Sequence, residues 1–159
     1  MSRYYILITS VSLLLLVVLS SAYYVDRGEH RIEQDEIGVE WLSFEEAVEK
    51  SKSEKRKIFI DVYTDWCGWC KVMDKNTFSD AGVAAYMNEH YYSVRLDYDS
   101  KEQLEFFGEK FTARELGSKY KVPGLPTILL VAHDNKKSKT LIGYKKPEPF
   151  LTKLKSFKY

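Results

Sequence analysis

Lys57-Ile-Phe-Ile-Asp-Val-Tyr-Thr-Asp-Trp-Cys-Gly-Trp-Cys-Lys71 is the stretch that decides the fold. Its first part, Lys57–Thr64, is a nearly continuous apolar run, as a strand is when both its faces are covered. Cys67-Gly68-Trp69-Cys70 follows directly and opens a helical pattern; these are the only two cysteines in the chain. A helix N-terminus presents unpaired N–H groups and the positive end of the helix dipole, which stabilise a thiolate at Cys67. Cys70 lies one turn further in and is better shielded, as a resolving thiol should be. An isolated Cys-x-x-Cys also serves zinc sites and structural disulfides, so its placement between strand and helix is the informative part. Zinc needs about four ligands, and His30, His90 and His133 are scattered without ligand spacing. A bridge across so short a loop contributes little stability. The pair therefore reads as redox-active, with no metal and no prosthetic group expected.

Asp61 stands in the middle of the apolar run, among Ile58, Phe59, Ile60 and Val62. A buried, unpaired carboxylate is costly enough that the group takes up a proton instead. A carboxyl held near a neutral pKa could exchange a proton with Cys70. The other reading places Asp61 at a solvated strand end.

Outward from this core, Ser43 with Glu46 forms a capping box opening an amphipathic helix to about Lys52. A short strand is expected near Val39–Trp41. After Cys70 the helical pattern continues, and Ala81–Glu89 reads as a separate helix capped by Ser79 or Asp80. Tyr91–Asp97 is a strand. Residues 98–111 are mostly polar, with Phe106, Phe107 and Phe111 among them, and read as an inserted loop or short helix. Thr112–Tyr120 suits a helix, which Val122-Pro123-Gly124-Leu125-Pro126 must break. Thr127–Ala132 and Lys139–Tyr144 form a hairpin through Asp134-Asn135-Lys136, and Pro147–Phe157 closes the chain as a helix. Alternating helices and strands with a terminal hairpin predict an α/β domain with a mixed central sheet flanked by helices. Pro126 precedes the strand at Thr127 and cannot donate a ladder hydrogen bond. A cis Leu125–Pro126 bond would leave the Leu125 backbone free to pair with a substrate strand.

The 159 residues suit one domain, and 24 Lys+Arg against 23 Asp+Glu leave a net charge of +1. That balance excludes a dedicated nucleic-acid binder. From Tyr4 to Val25 there is no charged residue, and about 20 apolar residues suffice to span a bilayer. Arg3 on the N-terminal side favours a cytoplasmic start, so the rest of the chain faces outward. Ser20-Ser21-Ala22 suits a signal peptidase, whereas Tyr4-Tyr5 and Tyr23-Tyr24 flank the run like interfacial anchors of a retained helix. The organisation expected is residues 1–25 as signal peptide or membrane anchor, 26–40 as linker, and 41–159 as the folded domain.

Asp61-Val-Tyr-Thr-Asp-Trp-Cys-Gly-Trp-Cys-Lys71 followed by Pro123-Gly-Leu-Pro-Thr127 resembles the thioredoxin superfamily, in element order over roughly residues 40–157. Asp65-Trp66-Cys67 and Asp74-Lys75-Asn76-Thr77-Phe78-Ser79-Asp80 are most similar to the C-terminal periplasmic domain of DsbD-type thiol:disulfide interchange proteins. The resemblance implies a thioredoxin-like fold, Cys67 as attacking thiol, Cys70 as resolving thiol, Asp61 as buried acid and Pro126 as cis-proline. Asp74 matches an acidic residue beside the cysteine pair. Gly68-Trp69 stands where thioredoxins carry Gly-Pro, so their redox potential does not transfer. Trp66 and Trp69 bracket Cys67 and read either as an apolar landing surface for a partner, with Leu125 and Pro126, or as packing residues.

The function expected is an exported thiol–disulfide oxidoreductase in a bacterial periplasm, reducing disulfides of exported partner proteins and re-reduced by a membrane electron donor. The alternatives are an oxidase or isomerase using the same site, or a non-catalytic thioredoxin-like binding module.

Overall fold

The computed structural model describes residues 38–158, and the apolar segment from Tyr4 to Val25 lies outside them. Among the described residues no helix is long and apolar enough to cross a membrane.

Strand β1 is Trp41–Leu42, and helix α1 runs Phe44–Glu54. The capping box forms: the Glu46 N–H donates to Ser43 Oγ at 3.2 Å, and the Ser43 N–H donates to Glu46 Oε2 at 3.0 Å. Strand β2 spans Lys57–Tyr63. Helix α2, Gly68–Met73, continues into one π-helical turn at Asp74–Phe78. Helix α3, Ala81–His90, is separate, and Asp80 caps it by accepting from the Val83 N–H at 2.9 Å. Strand β3 covers Tyr91–Asp97.

The expectation of a loop or short helix over 98–111 is corrected here. Gln103–Phe106 (β4) and Glu109–Thr112 (β5) form an antiparallel hairpin. Its turn residues Phe107 and Gly108 both have positive φ, 54° and 84°, which suits the twist of a two-residue hairpin turn. Phenylalanine is not a residue that announces such a turn, which is why the hairpin was hidden. Phe106 is buried and meets Phe44 edge-on at 5.7 Å, tying the hairpin to α1.

Helix α4 is Ala113–Lys119, strand β6 Thr127–Val131, strand β7 Ser138–Ile142 and helix α5 Pro147–Lys155. The main sheet has five strands in the order β1-β3-β2-β6-β7. Strands β1, β3 and β2 are mutually parallel, whereas β6 and β7 run antiparallel to their neighbours. The expected mixed sheet flanked by helices is therefore present. Strand alternation distributes the core over both faces. Ile58, Ile60 and Val62 join Phe44, Val94 and Leu116 on one face. Phe59 joins Met73, Met87, Leu130 and Phe150 on the other. That division explains the apolar continuity of β2, which is covered on both sides.

Candidate active site

Cys67 is the N-cap of α2, placed where β2 leaves the sheet. Its N–H donates to the Thr64 carbonyl at 3.1 Å, closing the turn between strand and helix. The Cys70 N–H donates to Cys67 Sγ at 3.2 Å. A donor fixed by the helix is thus aimed at the sulfur that would carry the charge, which is the local basis for a stabilised thiolate. Cys67 and Cys70 are joined by a disulfide. Their exposures are 6% and 4%, so the expected contrast in shielding between them is small in this bridged form.

Beside the bridge lies a groove of about 360 Å³, lined by Trp66, Cys67, Trp69, Tyr98, Arg114 and Leu125 among others. Four residues singled out from sequence therefore meet there. Both tryptophans are exposed, Trp66 at 72% and Trp69 at 61%, so neither serves mainly as packing. Each is nevertheless held. The Trp66 Nε1–H donates to Asp99 Oδ2 at 2.7 Å, and Arg114 donates to Asp99 Oδ1 at 2.6 Å. Those two donors hold the Asp99 carboxyl below the usual carboxylate range. Arg114 lies 4.7 Å from the ring centre of Tyr98. Trp69 stacks on Tyr144 with centroids 5.5 Å apart.

The Leu125–Pro126 bond is cis. Pro126 is buried, and its carbonyl accepts from the Gly143 N–H at 2.8 Å. Leu125 directly precedes the proline and lies outside the β2–β6 ladder, whose register ends at Val62 and Thr127.

Asp61 does not line the groove. It is 2% exposed and projects from the same side of β2 as Phe59. The expectation of an unpaired carboxyl is corrected, because parallel register sets Asp61 opposite Arg95. Arg95 donates to Asp61 Oδ2 from Nη2 at 3.1 Å and from Nε at 3.3 Å. Burial pushes the Asp61 carboxyl up to about 6 even against the pull of Arg95, with the Asp74 charge adding to the rise. Desolvation outweighs one guanidinium here.

Arg95, Tyr98, Asp99 and Arg114 were not found by sequence reasoning. A signal for Arg95 did exist. In Tyr91–Asp97 it shares a strand face with Tyr91 and Ser93, and a guanidinium on a covered face demands a buried anion. No comparable signal marks Asp99 or Arg114, which reach Trp66 through tertiary structure.

A buried acid and a bridged cysteine pair at a helix start, on a mixed sheet beside a cis-proline, are set out on a thioredoxin-like fold. The chain belongs to the Thioredox_DsbH family (protein of unknown function, DUF255), whose model matches residues 22–144. It is 34% identical over 115 residues to the thiol:disulfide interchange protein DsbD of Colwellia psychrerythraea, covering 70% of this chain and 17% of that one. The chain spans less than a fifth of the length of the curated DsbD relatives it matches. Among solved structures it is similar to a DsbH oxidoreductase, with a TM-score of 0.62, 24% identity, and coverage of 75% of this chain and 83% of that one. The oxidised C-terminal domain of Neisseria meningitidis DsbD gives 0.55 at 21% identity, over 73% of this chain and 97% of that domain. The structural likenesses speak to the fold.

Proposed function

We propose that this chain is an exported thiol–disulfide oxidoreductase that reduces disulfides in extracytoplasmic partner proteins. The observation that carries the reading is the Cys67–Cys70 pair at an apolar groove, with a backbone donor on Cys67 Sγ and a buried acid in the strand behind it. In the dithiol form, the Cys67 thiolate attacks a partner disulfide. A mixed disulfide forms, and the departing partner sulfur takes up a proton. Cys70 then loses its proton toward the Asp61 carboxylate and attacks Cys67 Sγ. This forms the Cys67–Cys70 bridge and expels the second partner thiolate. The partner gains two electrons and the enzyme loses two. A membrane electron donor resets the pair by the reverse exchange.

Trp66, Trp69, Leu125 and Pro126 hold the partner segment, with the Leu125 backbone as the pairing edge. The uncharged stretch Tyr4–Val25 behind Arg3 supports export, either as an anchor or as a cleaved signal. Similarity to thiol:disulfide interchange proteins supports exchange with partner disulfides, and the reductant direction is taken from the resemblance to the DsbD-type domain. The Gly68-Trp69 pair sets the potential, and about 30 mV corresponds to roughly tenfold in the exchange equilibrium.

Equilibrating the full chain with glutathione buffers and reading the bridge by alkylation tests the direction. A midpoint below about −200 mV is expected of a reductant, while one near or above about −150 mV would defeat that assignment. Cys70→Ser should trap partners on Cys67 as mixed disulfides on non-reducing gels. An empty trap would remove the attack step.

A further inference from the structure

Arg95 sits where a cation is expensive. It shares its strand face with Tyr91, which belongs to a fully covered core cluster, and its side chain is about one-third exposed. A guanidinium has no neutral form to retreat to, so the site must supply anions, and it supplies two. Arg95 Nη2 donates to Asp61 Oδ2 at 3.1 Å and to Asp74 Oδ1 at 2.5 Å. The guanidinium lies 4.9 Å from the Trp41 ring centre and 4.6 Å from that of Tyr63. The cation is thus fixed by one ring from β1 and one from β2. Its carboxylates come from different elements: Asp61 from mid-β2, and Asp74 from the first residue after the cysteine-bearing helix.

Among the described residues, the charged and titratable groups facing Asp61 are few. Strand β3 presents Arg95, the π turn presents Asp74, and β2 itself adds Tyr63. Strand β6 sets Ile128 opposite, which carries no charge. Helix α2 carries the cysteine pair, and bridged cysteines do not titrate. Among the described residues the cation paired with Asp61 is Arg95, and Arg95 is shared with Asp74.

We propose that Arg95 is a positioning residue whose guanidinium is divided between Asp61 and Asp74, and that this division sets the pH at which Asp61 exchanges its proton. The proposal rests on the function above, in which Asp61 receives the Cys70 proton. Two substitutions then act in opposite directions. Removing the cation leaves the buried charge uncompensated, so Asp61 ionises at higher pH. Neutralising Asp74 removes a like charge and releases the guanidinium wholly to Asp61, which then ionises at lower pH. Loss of packing alone gives no such opposition of sign.

The test titrates Asp61 in the bridged full-length protein by NMR, with ¹³C-carboxyl-labelled aspartate. The Asp61 signal is the one missing from Asp61→Asn. Arg95→Met keeps an apolar stem between the two rings and should raise the midpoint by at least about one pH unit. Asp74→Asn should lower it, and Arg95→Lys, a point charge without the fork, should fall between Arg95→Met and the natural protein. An unmoved midpoint in Arg95→Met, or shifts of one sign in Arg95→Met and Asp74→Asn, overturns the proposal. Should Arg95→Met not fold, Asp74→Asn decides alone, and a midpoint that stays or rises overturns it. Because the reading is taken on the bridged form, it is independent of turnover. Opposed shifts in a protein that reduces nothing would sink the function and keep the sharing; an active protein without them would do the reverse.

Discussion

Asp61 lies in a site that is 2% exposed, against the Arg95 guanidinium it shares with Asp74. Its carboxyl is pushed up from the ordinary 3.8 to about 6, chiefly by burial. A raised acid binds its proton more tightly in the folded chain than in the unfolded one. Stability from this group is therefore full below the ordinary value, falls as pH climbs to about 6, and stays lost above it. The shift corresponds to roughly 3 kcal/mol in order of magnitude. Asp61→Asn should accordingly stabilise the oxidised protein by about 2–3 kcal/mol at pH 8, with the gain fading near pH 3.5. Urea unfolding at the two pH values measures this, and an equal gain at both would refute it. Under the proposed function the same variant should also slow release of the partner, because Cys70 would lose its proton acceptor. Asp61 was legible because a carboxyl amid Ile58, Phe59, Ile60 and Val62 falls in the middle of a covered strand, which favoured burial over a solvated strand end. Its partner was not, because pairing depends on β2–β3 register, which a single sequence does not display.

The elements around the groove are held by contacts between helix α4 and the chain end of β3. Gly117 lies buried in α4, and a Cβ there would fall inside van der Waals contact with the Tyr98 ring. Tyr98 lines the groove and carries Arg114 over its face, and Arg114 fixes Asp99, which fixes Trp66. In an isolated helix Gly→Ala stabilises by about 1 kcal/mol. Here overpacking should outweigh that gain, at about 1–3 kcal/mol. Gly117→Ala is expected to lower the melting temperature. It should also raise KM for a protein disulfide severalfold while leaving the rate with glutathione disulfide nearly unchanged, because the small disulfide does not need the groove wall. A stabilised variant with unaltered KM would contradict this account. At this scale most elements were readable. The Ser43–Glu46 box marked α1, the apolar runs marked β2, β3 and β6, and Asp80 proved to be the cap of α3. The β4–β5 hairpin was not, although Gln103-Leu104-Glu105-Phe106 alternates as a strand should, because Phe107 occupies the positive-φ position where asparagine or glycine usually signals the turn.

For the molecule as a whole, the choice between a catalyst and a binding module turns on whether the two sulfurs are needed beyond their contribution to packing. The sheet and both core clusters are built without them: the cluster beneath α2 draws on Met73 and Phe78 rather than on Cys67 or Cys70. A three-residue bridge adds little stability, and placing two hydroxyls at these nearly buried positions costs about 1–3 kcal/mol each where they go unpaired. The Cys67→Ser, Cys70→Ser double variant should therefore still fold, with a lowered melting temperature and the same far-ultraviolet circular dichroism. Trp66, Trp69 and Leu125 remain in place in it, so any docking surface survives while electron transfer does not. If the chain is an oxidoreductase, cells carrying the double variant should accumulate oxidised partner proteins as fully as cells lacking the chain. If docking is the function, maturation of those partners should proceed normally. Comparing partner thiol states in the two strains separates the readings, and normal maturation with a folded double variant would end the catalytic one.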